Sequence, residues 1–250
     1  MGEFFSKLWQ VLKSTARLNF SSIYFARGMA RQNRGDHPAA IADYDLVLNI
    51  YPGHADALNN RGYARSILGD HAAAISDYNR ALELDPGHTR ALHNRGHARG
   101  VLGDYAAAIA DYERALAINP RDLSAFHNRG HARTQLGDYA GAIVDYDHAL
   151  AINADSAMTF NNRGHTKIKA GDFAGARADI ERALKLDPTF FGALSSMAEL
   201  HIALGEFDAA LGWIEQSVAL DPTARTYMLT SSDYDPIRGD PRFLALVGEA

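Results

Sequence analysis

Histidines at helical spacing are the first residues of this sequence that could carry chemistry. His93 and His97 form one pair four residues apart, and His127 and His131 form another. Residues four apart share one face of a helix, where two imidazole rings can ligate a metal ion. The sequence has no cysteine, however, and no carboxylate completes a known zinc pattern around either pair. We therefore predict a polar, aromatic surface with no metal and no cofactor, and a metal-binding protein is the alternative.

Asparagines accompany the histidines at a fixed spacing. An asparagine recurs every 34 residues, at Asn60, Asn94, Asn128 and Asn162. Its amide offers both a donor and an acceptor, so it can pair with an extended peptide backbone. Such a column of amides predicts a peptide-binding surface. The alternative is that the asparagines support packing between helices.

Charged residues recur with the same period in three columns. Opposite charges in register predict ion pairs between helices, and a stripe that binds anions is the alternative. In the last copy Met197 and Trp213 replace the basic and the acidic residue together, which favours ion pairs. The first basic column is Arg27, Arg61, Arg95, Arg129 and Arg163, the second is Arg31, Arg65, Arg99, Arg133 and Lys167, and the acidic column is Asp43, Asp77, Asp111, Asp145 and Asp179.

A 34-residue repeat underlies all these columns. Small residues recur at its eighth and twentieth positions and a large one at its twenty-fourth, as in Gly62, Ala74 and Tyr78. One unit is too short to bury a core alone, so neighbouring units must stack. Small residues let two helices approach, and the large residue fills the space beside them. The six copies are 21–54, 55–88, 89–122, 123–156, 157–190 and 191–224.

Gly-Asp pairs within the copies predict the turn between two helices. Glycine suits the left-handed residue that ends a helix, and aspartate is a good N-cap for the next one. Proline near the end of a copy then stops the second helix. The pairs are Gly69-Asp70, Gly103-Asp104, Gly137-Asp138 and Gly171-Asp172.

This pattern resembles the tetratricopeptide repeat, a helix–turn–helix unit. The resemblance implies an all-α fold: a right-handed α-solenoid of six units with capping helices at both ends. In that family the first helix of each unit lines a concave groove, and asparagine ladders hold peptides in some members. The resemblance assigns to this groove Asn59, Asn60, Tyr63, His93, Asn94, His97, His127, Asn128, His131, Asn162 and His165.

The two ends lie outside the six copies. At a helical period, residues 1–20 place apolar side chains on one side and polar, mainly basic ones on the other, which predicts an amphipathic helix. This helix either caps the first copy or anchors the chain to a membrane or a larger complex. At the other end, residues 225–250 are expected to cap the last copy. Asp240 and Pro241 would start a helix there, with Phe243, Leu244, Leu246 and Val247 as its covering side chains.

Composition narrows the function further. The net charge of −5 argues against nucleic-acid binding, no apolar stretch is long enough to span a bilayer, and no enzyme motif is recognisable. We therefore predict a non-enzymatic scaffold that binds an extended peptide or a partner helix in its groove. An assembly or tethering factor that docks through residues 1–20 is the alternative. We expect a cytoplasmic location, with peripheral contact at the inner membrane under the alternative; the partner and the oligomeric state stay open.

Overall fold

The computed structural model describes residues 20–248, which are helices joined by short turns without any strand. The amphipathic segment 1–20 lies outside the described residues except for residue 20, so its role stays a prediction. The chain divides into two compact units, Met1–Pro120 and Arg121–Ala250. The first contains helices α1 (20–33), α2 (His37–Ile50), α3 (Ala55–Ile67), α4 (His71–Leu84), α5 (Thr89–Val101) and α6 (Tyr105–Ile118).

The second unit contains eight helices and one 3₁₀ segment. Each odd-numbered helix from α7 to α11 packs against the helix that follows it. In the first unit α3 pairs with α4 and α5 with α6 in the same way. The predicted all-α solenoid of helix pairs is therefore confirmed. The elements are α7 (Leu123–Gln135), α8 (Tyr139–Ile152), α9 (Ala157–Ala170), α10 (Phe173–Leu186), α11 (Phe191–Ala203), α12 (Phe207–Leu220), α13 (Ala224–Thr230), the 3₁₀ segment (Ser232–Ile237) and α14 (Pro241–Val247).

The Gly-Asp pairs form the turns within the helix pairs, as predicted. Gly69 has a φ of +86°, a left-handed conformation that glycine adopts without strain. The Asp70 carboxylate then accepts a hydrogen bond from the backbone N–H of Ala73 and caps α4. Gly103, Gly137 and Gly171 have the same conformation. Local chemistry therefore fixes where the second helix of these pairs begins.

Ion pairs tie the two helices of a pair together. The Arg95 side chain donates to both carboxylate oxygens of Asp111, at 2.9 and 2.5 Å, and Arg99 donates to the same carboxylate at 2.7 Å. The same arrangement recurs at the other four aspartates of the acidic column. Since these basic side chains bond to buried carboxylates, the ion-pair interpretation is confirmed.

The C-terminal segment is a shortened seventh copy of the repeat. Gly239 and Asp240 stand at the same two positions as Gly69 and Asp70, and the Asp240 carboxylate caps α14. Phe243 and Val247 are buried in one apolar cluster with residues of the last complete copy, and Leu246 packs beside them, an arrangement that is consistent with the predicted cap. The prediction was wrong for Leu244, which is 46% exposed.

Candidate functional site

A cavity of about 430 Å³ opens in the second unit. Its walls come from α7, α8, α9, α11 and the start of α13. Three of the residues predicted for the groove line this cavity: His131, Asn162 and His165. The other walls include Tyr146, Asn161, Phe191, Ser195, Ser196, Glu199 and Tyr227.

Two buried oxygen atoms on the cavity wall have no hydrogen-bond partner. They are Asn161 Oδ1 and Glu199 Oε2, on the neighbouring helices α9 and α11. An unpaired buried acceptor costs about 1–3 kcal/mol, so such atoms are uncommon in folded proteins. Both residues line the cavity, although these two oxygen atoms are themselves shielded from solvent.

His165, Glu199 and Asp233 converge at the edge of this cavity. Their ligand atoms all lie within 4.8 Å of one another. His165 Nε2 lies 3.4 Å from Glu199 Oε2 and 3.9 Å from Asp233 Oδ2. The 3.4 Å contact is not a hydrogen bond, so Glu199 Oε2 has no hydrogen-bond partner. Glu199 is 4% exposed, and its other oxygen accepts a hydrogen bond from the Tyr227 hydroxyl at 2.8 Å.

Burial and neighbouring charges shift the pKa values of these carboxyl groups in opposite directions. Burial raises the pKa of Glu199, and the nearby His165 opposes that rise. His165 and then Lys169, which donates to Asp233 Oδ1, hold the pKa of Asp233 well below its usual range. Asp233 is therefore ionised at neutral pH.

His127 lies inside the second unit, away from the exposed surface predicted for it. Its ring is 8% exposed, with Nδ1 at 3.3 Å from Thr159 Oγ1 and Nε2 at 3.2 Å from Asn162 Nδ2. The Nδ2 group of Asn162 can only donate, so Nε2 is the acceptor and the ring is neutral. Burial lowers the pKa of His127, and the nearby His131 lowers it further.

The asparagine column makes hydrogen bonds between consecutive copies. Asn94 Nδ2 donates to Asn59 Oδ1 at 3.0 Å, and Asn162 bonds to His127 across the same spacing of 35 residues. Each bond joins the sixth position of one copy to the fifth position of the preceding one. The packing role that the sequence left as the alternative is therefore real for these two asparagines.

The predicted groove residues of the first unit lie on α3 and α5, and they differ in exposure. Asn59 and Asn60 are buried and hydrogen-bonded to each other. His93 and Asn94 are half-buried, while Tyr63 and His97 are exposed. Thus Tyr63 and His97 are available to a ligand, and Asn59 and Asn60 contribute mainly to packing. In the second unit Asn128 is half-buried and His131 is exposed.

Sequence reasoning missed Asn161, Glu199, Tyr227 and Asp233 as site residues. A signal was present in the period: His165, Glu199 and Asp233 are each 34 residues apart, at the ninth position of three successive copies. The last of these lies in the shortened seventh copy, which the six-copy alignment excluded. Within residues 20–248, these three side chains form a group of histidine and carboxylate ligands close enough to hold a metal ion. The two histidine pairs singled out in the sequence also lie within the described residues but do not belong to such a group.

Among the helices of residues 20–248, none combines the length and the apolar character that crossing a membrane requires.

Comparison with solved structures shows that other proteins share this architecture. A tetratricopeptide repeat protein from Parabacteroides merdae ATCC 43184 has 18% identity and a TM-score of 0.73, with 92% of this chain and 98% of that chain covered. PilW, a type IV pilus biogenesis factor, has 22% identity and a TM-score of 0.73, with 87% and 97% covered. YrrB, a TPR protein with an unusual peptide-binding site, has 18% identity and a TM-score of 0.58, with 72% and 92% covered. At these identities the likeness shows the fold alone.

A search of curated proteins gave no match. Models of protein families, in contrast, identify the repeat. Three tetratricopeptide repeat models match residues 55–88, 101–159 and 167–231, which together make up more than half of the chain. The chain belongs to the tetratricopeptide repeat family.

Proposed function

We propose that the chain is a non-enzymatic protein-binding module and that the cavity of the second unit holds an extended segment or a helix of its partner. The unpaired Asn161 Oδ1 on the cavity wall carries this proposal. A peptide offers backbone N–H groups, which would satisfy such an acceptor once the Asn161 side chain turns toward the cavity. Peptide binding by YrrB, which has the same fold, is consistent with the proposal.

The other residues that line the cavity suit a peptide with both apolar and polar side chains. Phe191 offers an apolar surface, while Ser195 and Ser196 offer hydroxyl groups. Small-molecule and peptide sites commonly combine a mainly apolar wall with a few placed polar groups. In the first unit the exposed Tyr63 and His97 supply a second surface for a partner.

A random-peptide display library selected on the purified protein tests the proposal. Fluorescence anisotropy then gives the Kd of the selected peptides for the wild type and two variants. Asn161→Leu removes the acceptor while keeping similar volume, and we expect it to weaken binding roughly tenfold, as loss of one hydrogen bond of about 1.4 kcal/mol would. Gln216→Ala, on the exposed surface of α12 in the same unit, is the matched control. Equal affinity for all three proteins would contradict a site in this cavity.

The tethering alternative depends on residues 1–20, outside the described residues, and stays a prediction. Sedimentation of the full chain and of a 21–250 fragment with anionic vesicles separates the two hypotheses. If residues 1–20 are an anchor, the full chain should sediment with the vesicles and the fragment should not. If they are a cap, both proteins should stay in the supernatant.

A further inference from the structure

We propose that His165, Glu199 and Asp233 form a binding site for one zinc ion. This site goes beyond the binding of a protein partner and does not depend on it. It is also separate from the histidine pairs that the sequence first suggested. The three side chains come from α9, α11 and the 3₁₀ segment, so three successive copies of the repeat contribute one ligand each.

The distances suit a tetrahedral ion. Zinc lies about 2.0–2.2 Å from nitrogen and oxygen ligands, so its ligand atoms are roughly 3.3–3.6 Å apart. His165 Nε2 and Glu199 Oε2 are already at 3.4 Å, and His165 Nε2 and Asp233 Oδ2 are at 3.9 Å. All three ligand atoms lie within 4.8 Å of one another, so the Asp233 side chain must move toward the other two to complete a three-ligand set.

The buried Glu199 gives the second, independent reason. Its Oε2 atom has no hydrogen-bond partner although the residue is 4% exposed, and it faces the other two ligand atoms. A buried carboxylate oxygen without a partner is costly, and a cation at this point would remove the cost.

Other side chains already hold the carboxylates in place. The Tyr227 hydroxyl donates to Glu199 Oε1, and Lys169 donates to Asp233 Oδ1, which leaves the second oxygen of each carboxylate directed to the ion. Such outer hydrogen bonds orient the ligands of metal sites. Asp233 is ionised, and with Glu199 ionised as well the two carboxylates and Lys169 would carry one negative charge, which favours a divalent cation.

The chemistry of the ligands selects zinc over magnesium or calcium. Magnesium and calcium prefer sites made of oxygen ligands alone, whereas imidazole suits zinc. Three protein ligands also leave a fourth position on the ion. Because His165 and Glu199 line the cavity, an exogenous ligand could reach the ion from there.

Isothermal titration calorimetry on the full chain, untagged and treated with chelator, tests the site with zinc chloride and magnesium chloride. We expect one zinc ion per chain and no comparable binding of magnesium. Glu199→Gln keeps the shape and removes the charge, and His165→Asn removes the imidazole. Each should raise the zinc Kd by at least about 10–100-fold, the loss that even an outer hydrogen-bond partner can cause.

His97→Asn is the matched control, since His97 occupies the same ninth position in the first unit and is exposed. It should leave the zinc Kd unchanged. Circular dichroism checks that each variant is folded, and Asp233→Asn, on the 3₁₀ segment near the C-terminus, replaces Glu199→Gln if that variant does not fold. Absence of one-to-one zinc binding, zinc binding that survives these ligand substitutions, or its loss in His97→Asn would each overturn the proposal.

Discussion

Each buried aspartate of the acidic column is matched by two basic side chains, and this sharing explains why its charge is tolerated. A single buried carboxylate is costly, but a bidentate arginine and a second cation satisfy both oxygens. Asp111 is 1% exposed and is held by Arg95 and Arg99 in this way. Arg95 also donates to Asn79 of the preceding copy at 2.7 Å, so one guanidinium joins three helices.

A double-mutant cycle of Arg95 and Asp111 should show strong coupling. We expect an interaction energy of about 0.5–3 kcal/mol between Arg95→Ala and Asp111→Ala, because the two side chains share two hydrogen bonds out of contact with solvent. Asp111→Ala alone should cost roughly 3–5 kcal/mol, since it leaves buried cations unpaired. Urea denaturation gives both values.

The control pair is Arg95 and Asp77. Asp77 bonds to Arg61 and Arg65 of its own copy, so its substitution should be additive with that of Arg95. Coupling of Arg95 with Asp77 as large as with Asp111 would contradict the observed pairing. The sequence left both aspartates open as partners, because period alone does not say whether a pair forms within a copy or between copies.

The buried His127 should make the second unit sensitive to acid. Its pKa is lowered in the folded state by burial, so the unfolded chain binds a proton first as the pH falls. The stability that the neutral ring contributes is therefore complete above its unfolded pKa of about 6.5 and decreases as the pH falls through the lowered folded pKa. His131 on the same helix and Tyr146 across the pair are the titratable groups beside this ring.

Urea denaturation of the wild type and of His127→Asn at pH 7 and pH 5 measures this effect. The wild type should lose more stability over this range than the variant, whose side chain does not titrate. His97→Asn is the control, because His97 is exposed and its removal should leave the acid sensitivity in place. Equal pH dependence of the wild type and His127→Asn would rule out a contribution from this ring.

At the scale of the helix, close approach within a pair depends on glycine. A Cβ atom added to Gly96 on α5 would lie 2.8 Å from Tyr112 Cε1, closer than real side chains approach. Tyr112 is 3% exposed, so its ring has little room to move. In contrast, a Cβ atom on Gly100 of the same helix would meet nothing within 4 Å.

Alanine at these two glycines should therefore change stability in opposite directions. Gly96→Ala should destabilise the protein by about 1–3 kcal/mol through overpacking, despite the better helix propensity of alanine. Gly100→Ala should stabilise it by up to ~1 kcal/mol through that propensity alone. Thermal denaturation followed by circular dichroism measures both. A neutral Gly96→Ala would show that the close contact with Tyr112 does not limit that position, and a destabilised Gly100→Ala would contradict the open space at Gly100.

Helices and turns were predictable from the sequence because their signals are local. The glycine and aspartate of each turn act within a few residues, and the period repeats the signal, so the sequence predicts both positions. The site was less predictable, because it depends on contacts between copies. Asn162 could be placed on a groove helix, but not its bond to His127, 35 residues away.

At the scale of the whole molecule, the last complete copy differs from the others in being more apolar. Met197 and Trp213, which replace the ion pair here, belong to an apolar cluster between α10, α11 and their neighbours. Residues 193–202 of α11 are all buried. An array of this kind is stabilised through contacts between neighbouring copies, so its last copy needs cover. The shortened seventh copy supplies that cover and also contributes Tyr227 and Asp233 to the site.

Phe243 is the residue on which this cover depends most. It is 0% exposed and lies in one cluster with Ile214, Met228 and Tyr234. Phe243→Ala should cost roughly 3–5 kcal/mol, because it removes a buried ring and leaves a cavity. The loss should fall on the last helices, since each copy of an array is stabilised by its neighbours. Hydrogen exchange should therefore speed up in α11, α12 and α14.

The same experiment has a control one residue away. Leu244 is 46% exposed on the same short helix, so Leu244→Ala should change stability by less than about 0.5 kcal/mol and leave hydrogen exchange unchanged. Exchange in α3 to α6, within the first unit, should be the same in both variants and the wild type. If Phe243→Ala sped up exchange equally in every helix, the chain would unfold as one cooperative body. If it changed none, residues 241–247 would not cover the array at all.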